Sequence, residues 1–83
     1  MLHRWYITEL EMKGVKLINH IRVQRSIKDI TQEALAEEIG VTRKTINTIE
    51  NGKFVPSTIL AMQLASYFGI KVEELFEIIE NEY

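Results

Sequence analysis

Apolar and polar positions alternate along most of this chain at the three- to four-residue spacing of amphipathic helices. The pattern predicts five helices, over residues 14–28, 32–39, 42–51, 56–68 and 72–78. One proline and short connections favour a compact all-α bundle. On the first helix, the apolar side comprises Leu17, Ile18, Ile21 and Ile27.

The two central helices carry clear start and stop signals. Thr31 and Thr42 are N-cap residues, and Gly40 stands where a left-handed C-cap is expected. Ala36 is small enough to let the two helices cross closely after a short turn. This spacing predicts a helix-turn-helix, in which the second helix enters the DNA major groove, with a purely structural helical hairpin as the alternative. The apolar residues of this unit are Leu35, Ile39, Val41, Ile46 and Ile49.

Length and composition limit the class of protein. With 83 residues and a mass of 9.7 kDa, the chain is long enough for one small domain. It has no cysteine, which excludes disulfides and thiolate metal sites and suits a reducing cytosol. We see neither an apolar run long enough to span a membrane nor a signal peptide. We therefore expect a cytoplasmic, nucleoid-associated protein that does not enter the membrane.

The net charge of −2 hides an uneven distribution. Residues 1–30 hold six bases and three acids, and residues 42–53 hold three bases and one acid. By contrast, residues 31–41 hold three acids without a base, and residues 70–83 hold five acids and one base. A local basic surface can attract nucleic acid although the whole chain is acidic. A mixed solvated surface is the alternative reading.

The stretches "TQEALAEEIGVTRKTINTIENGKFVPS" and "LASYFGIKVEELF" closely resemble the Cro and phage-repressor type of helix-turn-helix regulators, the XRE-like family. The resemblance covers about residues 16–77, starting upstream in "NHIRVQRSIKDITQ". It is strongest to the short stand-alone prokaryotic members. It implies a lambda-repressor-like DNA-binding domain and double-stranded DNA as the partner.

The resemblance also implies roles for individual residues. Arg25 and Glu50 match a partly buried ion pair, and an arginine fork suits a carboxylate. Gln32 is expected to bind a phosphate and to steady the second helix of the motif. The positions that match base-reading residues are Arg43, Lys44, Asn47 and Thr48. The expected phosphate contacts are Gln32, Thr42, Thr45, Asn51, Gly52 and Lys53, with backbone amides contributing in the loop 51–53.

A single domain of this kind reads about half of an operator, so we expect a homodimer on a pseudo-palindromic site. Apolar area for the dimer interface is expected on the fifth helix and the termini, at Leu75, Phe76 and Ile79. Arginine and lysine read guanine, asparagine reads adenine, and threonine can touch a thymine methyl. We therefore expect Arg43 to read a guanine, with Lys44 divided between base and phosphate.

Both ends of the chain depart from the minimal pattern of the family. We divide the chain into a leader over residues 1–12, the DNA-binding domain over 13–77 and an acidic tail over 78–83. The leader is either a genuine extension or an upstream start, because Met12 begins a stretch typical of the family. A short strand at the leader ("RWYIT") or the tail ("FEIIENEY"), paired so as to bury Trp5 and Ile79, is an alternative to frayed ends.

Nothing in the sequence supports catalysis. His3 and His20 have no partner residues at metal-ligand spacing, and we find no nucleophile–base arrangement or phosphate-binding glycine loop. We expect no enzyme activity, cofactor or metal. The favoured function is a transcription regulator, and a repressor rather than an activator. Two alternatives stay open: an antitoxin that represses its own operon while a terminal segment holds a toxin, and a helical module that binds a protein partner or co-regulator.

Overall fold

The structure is a computed structural model that describes residues 15–80. Its elements in chain order are β1 (Val15–Asn19), α1 (Ile21–Lys28), α2 (Gln32–Ile39), α3 (Arg43–Glu50), α4 (Thr58–Phe68), α5 (Val72–Leu75) and β2 (Phe76–Glu80). The five helices confirm the predicted all-α class, and β2 confirms the alternative of a short strand near the C-terminus. The predicted leader strand and the burial of Trp5 lie outside the described residues.

The caps predicted for the two central helices are confirmed. Thr31 Oγ1 accepts from the backbone N–H of Ala34 at 3.0 Å, and Thr42 Oγ1 accepts from the N–H of Thr45 at 3.1 Å. Gly40 ends α2 in the left-handed region at φ 91°, where a side chain would be strained. These local interactions fix where α2 stops and α3 starts, and they produce the helix-turn-helix.

The prediction of a first helix over residues 14–28 was wrong for its N-terminal part. Residues 15–19 form β1, and the helix begins only at Ile21. The cause is tertiary: β1 pairs antiparallel with β2, which lies about 60 residues further along the chain and places Leu17 opposite Ile78. Ile27, predicted on the buried side, is 71% exposed because it lies about 120° around α1 from the buried Ile21, at about 100° per residue.

The predicted fifth helix also continues too far. It ends at Leu75, and the backbone of Phe76 is extended at φ −126°, ψ 134°. Branched Ile78 and Ile79 suit the strand that follows, and β2 supplies the backbone partners that β1 needs. The predicted division between residues 77 and 78 therefore falls inside a strand.

One core holds the helices and the start of β2 together. Ile21 from α1, Leu35 from α2, Ile46 from α3 and Leu64 from α4 are all 0% exposed. Because these side chains come from four different helices, the orientation of α3 is set by the core. Among the described residues, no helix combines the length and the apolar character needed to cross a bilayer. The buried apolar set is Ile21, Leu35, Ala36, Ile46, Ile49, Leu64, Ala65, Phe68, Leu75 and Phe76.

Candidate nucleic-acid interface

A bidentate ion pair between Arg25 and Glu50 lies at the C-terminal end of α3. Arg25 Nε donates to Glu50 Oε2 at 2.7 Å, and Arg25 Nη2 donates to Glu50 Oε1 at 3.1 Å. Arg25 Nη1 also donates to the carbonyl of Ile30 at 3.0 Å. The Glu50 side chain is 0% exposed and that of Arg25 is 16% exposed. The pair therefore ties α1 and the loop after it to the C-terminal end of α3.

The surroundings of Glu50 favour its ionised form. Burial by itself raises the pKa of this carboxyl, but hydrogen bonds from Arg25 and then Gln32, with the Arg25 charge, lower it below its ordinary value. The hydrogen bond to Glu50 in turn raises the pKa of Arg25. Both partners are therefore charged at neutral pH, and removal of either leaves a poorly solvated charge.

Gln32 connects the first turn of α2 with the exposed side of α3. Its Nε2 donates to Asn47 Oδ1 at 3.2 Å and to Glu50 Oε1 at 3.1 Å. Both amide hydrogens are committed in this way, so the side chain has no donor left for a phosphate. Its backbone N–H, in contrast, is at the first position of α2, before the intrahelical bonds begin. Gln32 thus positions Asn47 with its side chain and presents a helix N-terminus with its backbone.

Asn19 is a positioning residue that the sequence reasoning missed. Its Nδ2 donates to the carbonyl of Ile49 at 3.0 Å, and its Oδ1 accepts from the N–H of Ile21 at 3.1 Å. One side chain therefore binds the first amide of α1 and holds the last turn of α3. The partner carbonyl is 30 residues away, so no local pattern could have identified this contact.

Two basic side chains mark the N-terminal end of α3. Arg43 and Lys44 are exposed, and within residues 15–80 neither is in an ion pair. The first turn of α3 has no acidic residue, whereas α2 has Glu33 there. Cations at a helix N-terminus are unfavourable for the isolated fold, because they add to the positive end of the helix dipole. The arrangement suits an external anion.

The threonine hydroxyls of α3 are largely engaged by the helix. Thr48 Oγ1 donates to the carbonyls of Thr45 at 2.9 Å and Lys44 at 3.0 Å. Its single hydroxyl hydrogen is therefore engaged, which leaves the methyl group and the acceptor side of the oxygen for a ligand. Thr42 Oγ1 and Thr45 Oγ1 lie 3.0 Å apart, so one of the two donates to the other and one hydroxyl hydrogen remains available.

The loop after α3 does not present free amides. The N–H groups of Asn51, Gly52 and Lys53 donate to the carbonyls of Asn47, Ile49 and Thr48 at 2.9–3.0 Å. Gly52 adopts φ 75°, which lets the chain turn away from the helix. These amides are therefore engaged within the turn, and their contact with phosphate stays a prediction. The exposed side chains of Asn51 and Lys53 remain as candidate contacts, and Gly52 has a conformational role.

Arg22, a second residue that the sequence reasoning missed, lies beside this loop. Its Nε is 3.4 Å from Glu50 Oε1, and its Nη2 is 3.5 Å from Asn51 Oδ1. Its side chain is 67% exposed. The Arg22 guanidinium is thus loosely placed at the C-terminal end of α3.

The fold and the site define a helix-turn-helix protein. A family model described as helix-turn-helix matches residues 21–75, from the first residue of α1 to the last of α5. The chain belongs to this family, and within it to the XRE-like regulators of the Cro and phage-repressor type.

Two relatives and one solved structure agree with this assignment. The chain is 42% identical to the HTH-type transcriptional regulator MJ0272 of Methanocaldococcus jannaschii, over 77% of its own length and 97% of that protein. It is 39% identical to the HTH-type transcriptional regulator YgzD of Bacillus subtilis, over 76% of its own length and 96% of that protein. The crystal structure of a proposed DNA-binding protein from Bacteroides fragilis superposes with a TM-score of 0.67, at 26% identity, over 74% of this chain and 98% of that one.

Proposed function

We propose that this protein is a sequence-specific transcription regulator that binds double-stranded DNA by inserting α3 into the major groove. The observation that carries the proposal is the position of two exposed cations, Arg43 and Lys44, which form no ion pair within residues 15–80, at the N-terminal end of α3. DNA supplies the anions that this arrangement lacks, and helix N-termini bind phosphate readily. The similarity of the chain to two proteins named as HTH-type transcriptional regulators supports this assignment.

Base reading is assigned to the side chains on the open side of α3. Arg43 reads a guanine through O6 and N7, and Lys44 is divided between base and phosphate. Asn47 keeps its Nδ2 donor and one Oδ1 lone pair while it accepts from Gln32, so it can still pair with adenine. Thr48 contacts a thymine methyl through its own methyl group, because its hydroxyl is engaged within α3.

Phosphate binding is assigned to both ends of α3 and to the start of α2. At the N-terminal end of α3 we place the spare hydroxyl of the Thr42–Thr45 pair, and at the start of α2 we place the backbone N–H of Gln32. At the C-terminal side we place the side chains of Asn51 and Lys53, which are exposed. These contacts fix the register of α3 on the duplex and carry no base information of their own.

We further propose that the protein acts as a homodimer through an apolar face made by the sheet and α4. Leu75 and Phe76, which the sequence suggested for the interface, are 0% and 8% exposed and belong to the core instead. Ile78 is 70% exposed and Met62 is 56% exposed, and both line one groove that continues over Leu17. A second copy is the occupant because one domain covers half of a two-fold operator.

The position of this face relative to α3 supports the dimer. Asn19, the last residue of β1, holds the Ile49 carbonyl near the end of α3. A two-fold axis at the sheet therefore brings the C-terminal ends of the two α3 helices nearest to each other. A dimer bound over a promoter would exclude polymerase, and this is why we favour a repressor.

The first test is the selection of bound duplexes from a random pool at two salt concentrations. We expect a two-fold symmetric motif, with a negative slope of log affinity against log salt of about 0.9 per neutralised phosphate. The Arg43→Ala/Lys44→Ala double variant should enrich nothing, while Glu37→Ala/Glu38→Ala on the exposed side of α2 should enrich the same motif. Lack of enrichment by the wild type would contradict the proposal and favour a protein partner.

The dimer is tested separately by analytical sedimentation with and without the selected duplex. Ile78→Glu places a carboxylate in the apolar face, and we expect it to give monomers and to bind one half-site weakly. Ile27→Glu, an equally exposed isoleucine on α1, is the matched control and should leave the mass unchanged. A wild-type protein that stays monomeric on the operator at high concentration would rule out the dimer.

A further inference from the structure

We infer that Arg22 binds a backbone phosphate of the DNA at the C-terminal end of α3, opposite the end that carries Arg43 and Lys44. Arg22 lies outside the helix-turn-helix itself, in the first turn of α1. The inference rests on the proposed function, and it adds a contact from a part of the chain for which the motif predicts none.

The contacts of Arg22 leave its guanidinium available to bind an anion. Within residues 15–80 it makes two contacts, at 3.4 Å to Glu50 and 3.5 Å to Asn51, and both are at the outer limit of hydrogen bonding. Arg25, by comparison, makes its two bonds to Glu50 at 2.7 and 3.1 Å and a third to Ile30. With the Arg22 side chain 67% exposed, most of its five N–H donors face solvent. Arg25 is thus built into the fold, while Arg22 can exchange its long contacts for a ligand.

The local charge also favours an anion at Arg22. Two guanidinium groups surround the single Glu50 carboxylate, and Arg25 already neutralises it through the bidentate pair. The group therefore keeps one excess positive charge, and Arg22 is its exposed member. When Arg22 turns to a phosphate, Glu50 loses only its longest bond and keeps those from Arg25 and Gln32.

The position of Arg22 fits the geometry of a duplex. The eight residues of α3 span about 12 Å, which is close to the width of the major groove. Arg43 and Lys44 start the helix, and Arg22 contacts Asn51, the residue that ends it. When Arg43 and Lys44 reach base edges from the N-terminal end of such a helix, its C-terminal end, with Arg22, lies beside a phosphate backbone that borders the groove. Arg22 and Lys53 then serve the backbone on the C-terminal side.

The test compares two variants that each remove one positive charge from α1. Arg22→Gln removes the proposed contact, and Lys28→Gln is the matched control. Lys28 lies at the other end of the same helix, with Nζ 4.9 Å from the centre of the Tyr67 ring. The affinity of the full-length protein for its selected duplex and for an unrelated duplex is measured over a range of salt concentrations. Folding of each variant is checked by circular dichroism.

For Arg22→Gln we expect the salt slope to fall by about 0.9 per protomer, with roughly tenfold weaker binding and unchanged base preference. Lys28→Gln should keep the wild-type slope, and Arg22→Lys should restore most of it. An unchanged slope for Arg22→Gln, an equal fall for both glutamine variants, or an unfolded Arg22→Gln would each overturn the inference and leave the proposed function standing. If the wild type binds no duplex, the proposed function itself fails.

Discussion

The side-chain amide of Gln32 donates a hydrogen bond to Oδ1 of Asn47 at 3.2 Å, between the first turn of α2 and the exposed side of α3. The same Gln32 nitrogen donates to the buried carboxylate of Glu50. Gln32 therefore orients Asn47, which is assigned to base reading, and also hydrogen-bonds the carboxylate of the Arg25–Glu50 ion pair. Specificity and stability therefore depend on the same part of the structure.

Replacement of Gln32 by alanine should loosen Asn47 without removing it. We expect weaker binding by about 1–2 kcal/mol and reduced discrimination at the adenine assigned to Asn47, because its side chain loses the partner that orients it. Titration of the selected duplex, and of one with that base pair exchanged, measures the effect. Glu33→Ala, at the next and exposed position of α2, should match the wild type on both duplexes. Retained discrimination in Gln32→Ala would show that Asn47 is oriented by other contacts.

Replacement of Glu50 by alanine should strongly destabilise the domain. The variant leaves the Arg25 guanidinium without its carboxylate, and breaking a buried pair on one side costs about 3 kcal/mol or more. Urea unfolding followed by circular dichroism measures the free energy of unfolding. Glu37→Ala removes an exposed carboxylate from α2 and should change it by less than about 0.5 kcal/mol. Wild-type stability in Glu50→Ala would contradict a structural role for the pair.

The lowered pKa of Glu50 predicts a specific loss of stability in acid. Because the pKa is lower in the folded state, the unfolded chain binds a proton first as pH falls. The contribution of Glu50 is therefore complete above the unfolded value of about 4.3 and is lost as pH falls through the lower folded value. The difference in unfolding free energy between wild type and Glu50→Gln should shrink over this acidic window. A difference that stays constant down to the lowest measurable pH would argue against this linkage.

Arg43 and Lys53 should differ in what their removal costs. Arg43→Ala should lose about 1–3 kcal/mol on the selected duplex and relax the preference at one base pair, since arginine reads guanine with two bonds. Lys53→Ala should weaken binding to every duplex similarly and reduce the salt slope, since it is assigned to phosphate. Affinities for a panel of single-base variants give both answers. Equal losses on every duplex for the two variants would refute the division into base and phosphate contacts.

The sequence by itself determined the helix-turn-helix, because its signals are local. Thr31 and Thr42 each bond an amide three residues ahead, and Gly40 supplies the left-handed turn between α2 and α3. Such interactions depend on neighbours within one turn, so their spacing can be recognised before any tertiary contact is known. The family resemblance then predicted an ion pair between Arg25 and Glu50, and the structure places the two side chains in hydrogen-bond contact.

The tertiary structure decided what residues far apart in the chain do together. Residues 15–19 have helical spacing but form a strand, because 76–80 provide backbone partners that no local window contains. Asn19 holds α3 through a carbonyl 30 residues away, and Arg22 reaches a residue 29 positions further on. Local periodicity describes which side of an element is apolar, while these contacts depend on how the common core orients the elements. That orientation brings Gln32, Glu50 and Arg22 to the same end of the candidate interface.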